Sequence, residues 1–221
     1  LTDNVKNGEV LIETMYSEGL KKFVFIGSMN EYGSHSGALS EDLAPKGRVI
    51  NYAKAKTKLA KFGFNRAAYY GKLFIHPRPF YVYGPGQRKG SLINELFESF
   101  CEDRDAILSP CEHFRDYIYV QDVVDGIIRL TKINTSNTVN LGTGSFIKVK
   151  DYVELFWKTL GGRKSKLIFG GQSKYKDEPD QPKSYADLTI LKQLTNWQPA
   201  YSLEDGIENT ISALVEGNNY D

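Results

Sequence analysis

A phenol and an ammonium four residues apart share one face of any helix that holds them, and Tyr52-Ala53-Lys54-Ala55-Lys56 supplies that pair. Of the 14 tyrosines, only Tyr52 has a lysine at this spacing. A lysine beside a phenol favours the phenolate and draws a pKa of about 10 toward neutrality. Upstream stands Gly27-Ser28-Met29-Asn30-Glu31-Tyr32-Gly33, which follows an apolar run that reads as a strand. A serine at the C-terminal end of a parallel strand lies where open α/β sheets bind ligands. Its hydroxyl can bond the substrate oxygen that the phenol protonates. Ser28, Tyr52 and Lys56 therefore suit a proton relay that interconverts an alcohol and a ketone.

These residues need elements to hold them. Val5, Val10, Leu11 and Met15 put apolar groups on one helical face, with Gly19 as a stop. Phe23–Ile26 reads as a short buried strand, and Ser34–Val49, with its Gly, Ser and Pro45, as a loop. Asn51 is expected to cap a helix carrying Tyr52 and Lys56 toward Arg66, and Lys72–Ile75 to form the next strand. Helix, strand, loop, helix, strand is the alternation that builds parallel sheets with helices on both faces. After Gly84-Pro85-Gly86 come a helix over Leu92–Cys101, an apolar segment at Ala106–Leu108 and an extended stretch over Asp116–Val120. A helix over Asp122–Leu130 and a strand over Thr138–Leu141 follow. The last two helices run over Lys150–Leu160 and Ser202–Val215, the second opened by a capping box at Ser202-Leu203-Glu204-Asp205.

Composition narrows the classes. The chain has 221 residues, 41% hydrophobic and 25% charged, with a net charge of +1, which is soluble globular composition. It lacks the basic stripe of a nucleic-acid binder. Its apolar runs fall far short of the ~20 residues that span a bilayer, so no membrane partner is expected. Cys101 and Cys111 are too few for a disulfide framework and read as reduced residues of a cytoplasmic protein. His35, His76 and His113 are scattered and lack zinc spacing, so no metal is expected. Trp157 and Phe156 read as core. The chain opens at Leu1, directly in a helical pattern, and is expected to be a fragment of a longer protein.

Taken in order, several segments resemble the extended short-chain dehydrogenase/reductases, the NAD-dependent epimerase/dehydratases. They are Lys22–Gly33, Tyr52 with Lys56, and Arg78-Pro79-Phe80-Tyr81-Val82-Tyr83-Gly84-Pro85-Gly86-Gln87. Arg115-Asp116-Tyr117-Ile118-Tyr119-Val120-Gln121-Asp122-Val123, Asn140-Leu141-Gly142-Thr143-Gly144, Tyr185-Ala186-Asp187 and Trp197-Gln198-Pro199 complete the set. The resemblance implies an α/β fold: a partial Rossmann-type doubly wound parallel sheet without its N-terminal strands, and a smaller C-terminal substrate-binding lobe. The sheet domain would take residues 1–80 and roughly 118–142, and the lobe 81–117 and 143–221. It further implies NAD or NADP as cofactor and a nucleotide sugar as substrate. A homodimer would form through the helices before Phe23 and around Tyr52.

The same resemblance assigns roles. Tyr52 would be the acid/base on the sugar hydroxyl. Lys56 would hold the nicotinamide ribose and lower the phenol's pKa, and Ser28 would bond the reacting oxygen. Pro79 and Phe80 would line the nicotinamide carboxamide. Met29, Asn30 and Tyr81 would be substrate contacts, and Arg115 would meet the diphosphate with its guanidinium fork. Three departures stand out. The glycine fingerprint that follows the first strand lies in a region the chain does not contain. Tyr81 replaces the asparagine usual at its position, and Lys176-Asp177-Glu178-Pro179-Asp180 lacks an arginine often found there. Met29 and Asn30 also stand where dehydratases keep an acid/base pair, and neither can carry a proton near neutrality, which argues against dehydration. The Gly27-Ser28-x-x-Glu31-Tyr32-Gly33 and Arg78-Pro79-Phe80 patterns resemble those of the reductases that make 6-deoxysugar nucleotides, a resemblance that implies reduction of a nucleotide-4-keto-6-deoxysugar at C4. A nucleotide-sugar 4-epimerase is the alternative, and a non-catalytic dinucleotide-binding sensor or scaffold comes third.

Overall fold

Side chains alternate across the strand that follows Tyr52 and Lys56, and that alternation organises the protein. In a computed structural model describing residues 2–161, 164–171 and 183–218, Phe74 and Ile75 point to opposite faces of one sheet and anchor different cores. The chain runs α1 (Thr2–Ser17), β1 (Lys22–Val24), a 3-10 turn (Met29–Tyr32), β2 (Gly37–Leu39), α2 (Asn51–Tyr70), β3 (Leu73–Pro79) and β4 (Tyr81–Tyr83). It continues through α3 (Leu92–Cys101), β5 (Ala106–Leu108), β6 (Phe114–Arg115), β7 (Tyr117–Tyr119), α4 (Val120–Leu130) and β8 (Asn137–Leu141). The final elements are β9 (Ile147–Lys148), α5 (Val149–Thr159), β10 (Leu167–Phe169), β11 (Ser184–Ala186), α6 (Thr189–Thr195) and α7 (Leu203–Asn218).

The strands β1, β3 and β8 form a parallel sheet in that order, with β3 in the middle. On one face α1 and α2 bury Val5, Ile12, Tyr16, Leu59 and Ala67 against Phe74. On the other, α4 and α6 bury Val123, Leu130 and Leu191 against Ile75, Val139 and Leu141. Helices on both faces of a parallel sheet are the doubly wound arrangement expected from the sequence. A second core gathers α3, α5 and α7 around the parallel pair β5–β10, with Leu96, Tyr152, Phe156 and Ile207 at its centre. The parallel pair β4–β7 is the seam, since Ile118 packs into the sheet's core and its neighbour Tyr119 into the second one. Ala186, Leu188, Leu191 and Trp197 lie beyond residue 143, where the sequence suggested the lobe, yet they pack into the sheet's core.

Several expectations needed adjusting. Helix α2 begins one residue early: Ile50 is its N-cap, Asn51 is already helical, and no side chain caps the end. β3 does not stop at Ile75 but continues through Pro77 and Pro79; Pro77 cannot donate to the Phe25 carbonyl, and His76 Nδ1 takes that place at 2.9 Å. The Gly27 N–H reaches the Pro77 carbonyl at 2.7 Å, and the Phe80 N–H reaches the Leu141 carbonyl at 2.8 Å. Within the expected loop after Gly33, β2 pairs in parallel with β11, which joins the early and late parts of the chain. The capping box is present: Ser202 Oγ accepts the Asp205 N–H at 3.1 Å and the Asp205 carboxylate accepts the Ser202 N–H at 3.2 Å. Gly84 has φ 145°, and a Cβ there would stand 2.5 Å from Val120, so only glycine makes the turn out of β4.

Candidate active site

Ser28 and the carbonyl that Lys56 contacts both lie just past the C-terminal end of β1. Tyr52 and Lys56 lie one turn apart on the first part of α2, and Lys56 Nζ donates to the Ile26 carbonyl at 2.7 Å, just beyond β1. The ammonium sits 4.8 Å from the Phe25 ring centroid and 5.6 Å from that of Tyr52. Ser28 caps the 3-10 turn, and its Oγ accepts the Asn30 N–H at 3.2 Å, which leaves the hydroxyl proton to donate outward. Helix α2 is tied to that turn by Thr57, whose Oγ1 lies 3.4 Å from Glu31 Oε2.

The electrostatics differ from a simple lysine-activated phenol. Tyr52 is 47% exposed, and burial of its remainder, followed by the Glu31 charge, pushes its phenol above the ordinary value. Burial pulls the Lys56 ammonium down, while Glu31 acts to raise it.

Glu31 is the buried carboxylate of the site and the residue that sequence reasoning passed over. It is 1% exposed, accepts the Ser28 N–H at 2.9 Å, and lies 3.0 Å from His76 Nε2 and 3.4 Å from Arg78 Nε. Burial alone would raise its carboxyl, but the His76 hydrogen bond and charge, then Arg78 and the Ser28 N–H, hold it below the usual range. His76 read as one of three scattered histidines because its partner is 45 residues away. The available signal was a histidine directly before a proline inside a strand.

The remaining expected residues divide. Asn30 is half-buried beside Ser28, but Met29 is buried in the sheet's core, so its side chain packs rather than faces a substrate. Pro79 is half-buried at the end of β3, and the Phe80 ring is buried. Tyr81 and Arg115 come together: the guanidinium lies 4.1 Å from the Tyr81 ring centroid and donates to its hydroxyl. Arg115 lines a cleft of about 280 Å³ with Tyr83, Tyr117, Tyr119, Phe146 and Tyr201. A larger groove of about 680 Å³ between the C-terminus of α4 and α6 borders Asn134 and Thr135, ahead of β8. That is the N-terminal edge of the sheet, opposite the relay, where open α/β sheets do not place ligands. Lys176–Asp180 lie outside the described residues.

Asp116, directly after Arg115, fixes the loop that frames the cleft. Its Oδ1 accepts the Thr143 N–H at 2.8 Å and the Thr143 hydroxyl at 2.7 Å. Its Oδ2 accepts the Ala186 N–H at 2.9 Å and the Gly144 N–H at 3.2 Å. A Cβ on Gly142 would stand 2.7 Å from Asp116, so glycine at that position lets the carboxylate in.

Residues 1–142 match the model of the NAD dependent epimerase/dehydratase family. A Bacillus subtilis protein described as an uncharacterised UDP-glucose epimerase is 30% identical over 216 residues, which is 96% of this chain and 66% of that protein. The UDP-glucuronate 4-epimerase of Thermodesulfobacterium geofontis is 28% identical over 204 residues, 91% of this chain and 62% of the relative. The chain thus spans somewhat less than two thirds of the length of these curated relatives. The crystal structure of UDP-glucuronic acid 4-epimerase from Bacillus cereus, in complex with UDP-glucuronic acid and NAD, superposes with a TM-score of 0.83 at 25% identity. That match covers 96% of this chain and 67% of the crystallised one.

Proposed function

The chain belongs to the NAD-dependent epimerase/dehydratase family, and from that premise we propose that it is part of a homodimeric, cytoplasmic enzyme that oxidises and reduces the C4 position of a nucleotide sugar, using NAD or NADP. The observation that carries this reading is Tyr52 beside Lys56 at the C-terminal sheet edge, with the ammonium anchored on the Ile26 carbonyl. The donor set suits the nicotinamide-ribose half of a dinucleotide. Lys56 is only partly buried and has two N–H donors beyond the one given to Ile26, and the exposed part of Tyr52 faces away from the α1–α2 core.

A nicotinamide bound beside Tyr52 would accept hydride from the sugar carbon and return it. Tyr52 takes the proton of the sugar hydroxyl as the carbonyl forms and gives it back on reduction. Ser28 donates its hydroxyl proton to the same oxygen, and Lys56 offsets the negative charge on the phenolate. Arg115 and the tyrosine-lined cleft would hold the diphosphate and the nucleoside.

Between the two finer readings, 4-epimerisation is favoured by the relatives, one of which is a UDP-glucuronate 4-epimerase. Ketoreduction of a nucleotide-4-keto-6-deoxysugar keeps support from the Ser28-x-x-Glu31-Tyr32-Gly33 and Arg78-Pro79-Phe80 segments. The full-length protein should be offered UDP-hexoses and UDP-hexuronates with NAD, and nucleotide-4-keto-6-deoxysugars with NADH or NADPH. Interconversion of C4 epimers without net cofactor consumption is expected, and net oxidation of reduced cofactor would replace that reading with the reductase. Tyr52→Phe should lower either activity by about 10²–10⁴-fold. Turnover unaffected by Tyr52→Phe would overturn the assignment, and no turnover together with tight dinucleotide binding would favour a sensor.

A further inference from the structure

We propose that Glu31 and His76 are positioning residues of this site: together they form a buried hydrogen-bonded pair in which Glu31 fixes Ser28 through its backbone and sets the electric field at Tyr52 and Lys56. The proposal rests on the reading of Ser28, Tyr52 and Lys56 given above.

The argument begins with a proline. In the parallel ladder between β1 and β3, the Leu73 N–H bonds the Lys21 carbonyl, and Lys22 pairs with Leu73. Continuing that register would give the Phe25 carbonyl the N–H of residue 77, which is proline and has none. The Phe25 carbonyl is satisfied instead by the neighbouring side chain, His76 Nδ1, at 2.9 Å. A carbonyl only accepts, so Nδ1 carries the hydrogen. The ring, stacked on Phe25 at 5.6 Å, is thereby fixed with Nε2 aimed at Glu31, 3.2 Å from Oε1 and 3.0 Å from Oε2.

Glu31 is a carboxylate here, since His76, Arg78 and the Ser28 N–H hold its pKa low. An ionised carboxylate can only accept, and Nε2 is the ring nitrogen that faces it, 3.0 Å from Oε2. Both side chains have no solvent exposure, and a buried pair of this kind is costly unless it is fully bonded. Gly27 admits it: a Cβ there would stand 2.5 Å from the His76 ring and 2.6 Å from Glu31.

One carboxylate thus touches three parts of the site. It bonds the backbone of Ser28, meets Thr57 in the turn that carries Lys56, and acts electrostatically on both Tyr52 and Lys56. The titratable and charged groups facing it are His76 and Arg78 from β3, with the Tyr52–Lys56 pair on α2. A plain capping role for Glu31 would account for the Ser28 contact but not for an effect on the phenol.

The test uses the full-length protein with 3-fluorotyrosine incorporated at position 52 and followed by fluorine NMR against pH, a readout independent of turnover. Glu31→Gln should move the phenol's titration down by on the order of 0.5–1 pH unit. Glu31→Asp keeps the charge and should leave the titration in place. Its shorter side chain cannot reach Ser28 and His76 together, so kcat should fall on the order of tenfold with KM nearly unchanged. An unmoved titration in Glu31→Gln, or wild-type kcat in Glu31→Asp, would overturn the proposal. If Glu31→Gln does not fold, the Glu31→Asp result decides. Absence of turnover in the wild type would count against the enzymatic reading alone, and the titration would then decide the electrostatic effect.

Discussion

At the scale of single residues, the site separates what spacing can announce from what only folding creates. Tyr52 and Lys56 are legible because four residues of helix place them together, whatever the rest of the chain does. The Glu31–His76 contact is not, because it spans 45 residues and depends on the ladder position of Pro77. Asp116 is similar: its motif was visible, but its four donors come from Thr143, Gly144 and Ala186. Asp116→Asn should accordingly destabilise the protein by about 1–3 kcal/mol in urea unfolding, since the amide nitrogen would face N–H groups it cannot accept. A change below about 0.5 kcal/mol would show that the loop re-forms its bonds elsewhere.

At the scale of elements, helices were read well and the shortest strands poorly. Helix α3 has the expected limits, and α4, α5 and α7 lie within a few residues of theirs, because a 3.6-residue apolar period leaves a clear trace. Strands of two or three residues, such as β6, β9 and β11, are too short to alternate, so their pairing is set by tertiary contacts. How closely elements pack also decides what a glycine is for. Gly63 of α2 lies where a Cβ would stand 2.1 Å from the rigid, buried Phe74 ring. Gly63→Ala gains about 1 kcal/mol of helix propensity, yet should lose about 1–3 kcal/mol by overpacking, for a net loss. Gly8 of α1 faces only the flexible end of Leu59, at 2.8 Å, so Gly8→Ala should cost less than Gly63→Ala, measured by the same urea midpoints. Equal effects at the two sites would mean that α2 can shift away from the sheet.

At the scale of the whole molecule, α1 leaves Val10 and Leu11 64% and 54% exposed, with Met15 alongside, although its other face is buried. An apolar stripe on one of the helices expected to form a homodimer calls for a covering partner. Leu11→Lys should convert a dimer to a monomer in light scattering of the full-length protein, with folding unchanged. A wild-type monomer, or an undisturbed dimer in the variant, would remove α1 from the interface. A final consequence concerns synthesis. Because β2 takes β11 as its partner, the stretch just after the Ser28 turn gains its neighbour only once Ser184–Ala186 have been made. At about 5–20 residues per second, a ribosome leaves that stretch waiting on the order of ten seconds after it emerges. During translation the residues around the Ser28 turn must therefore persist with β2 unpaired until β11 has been made.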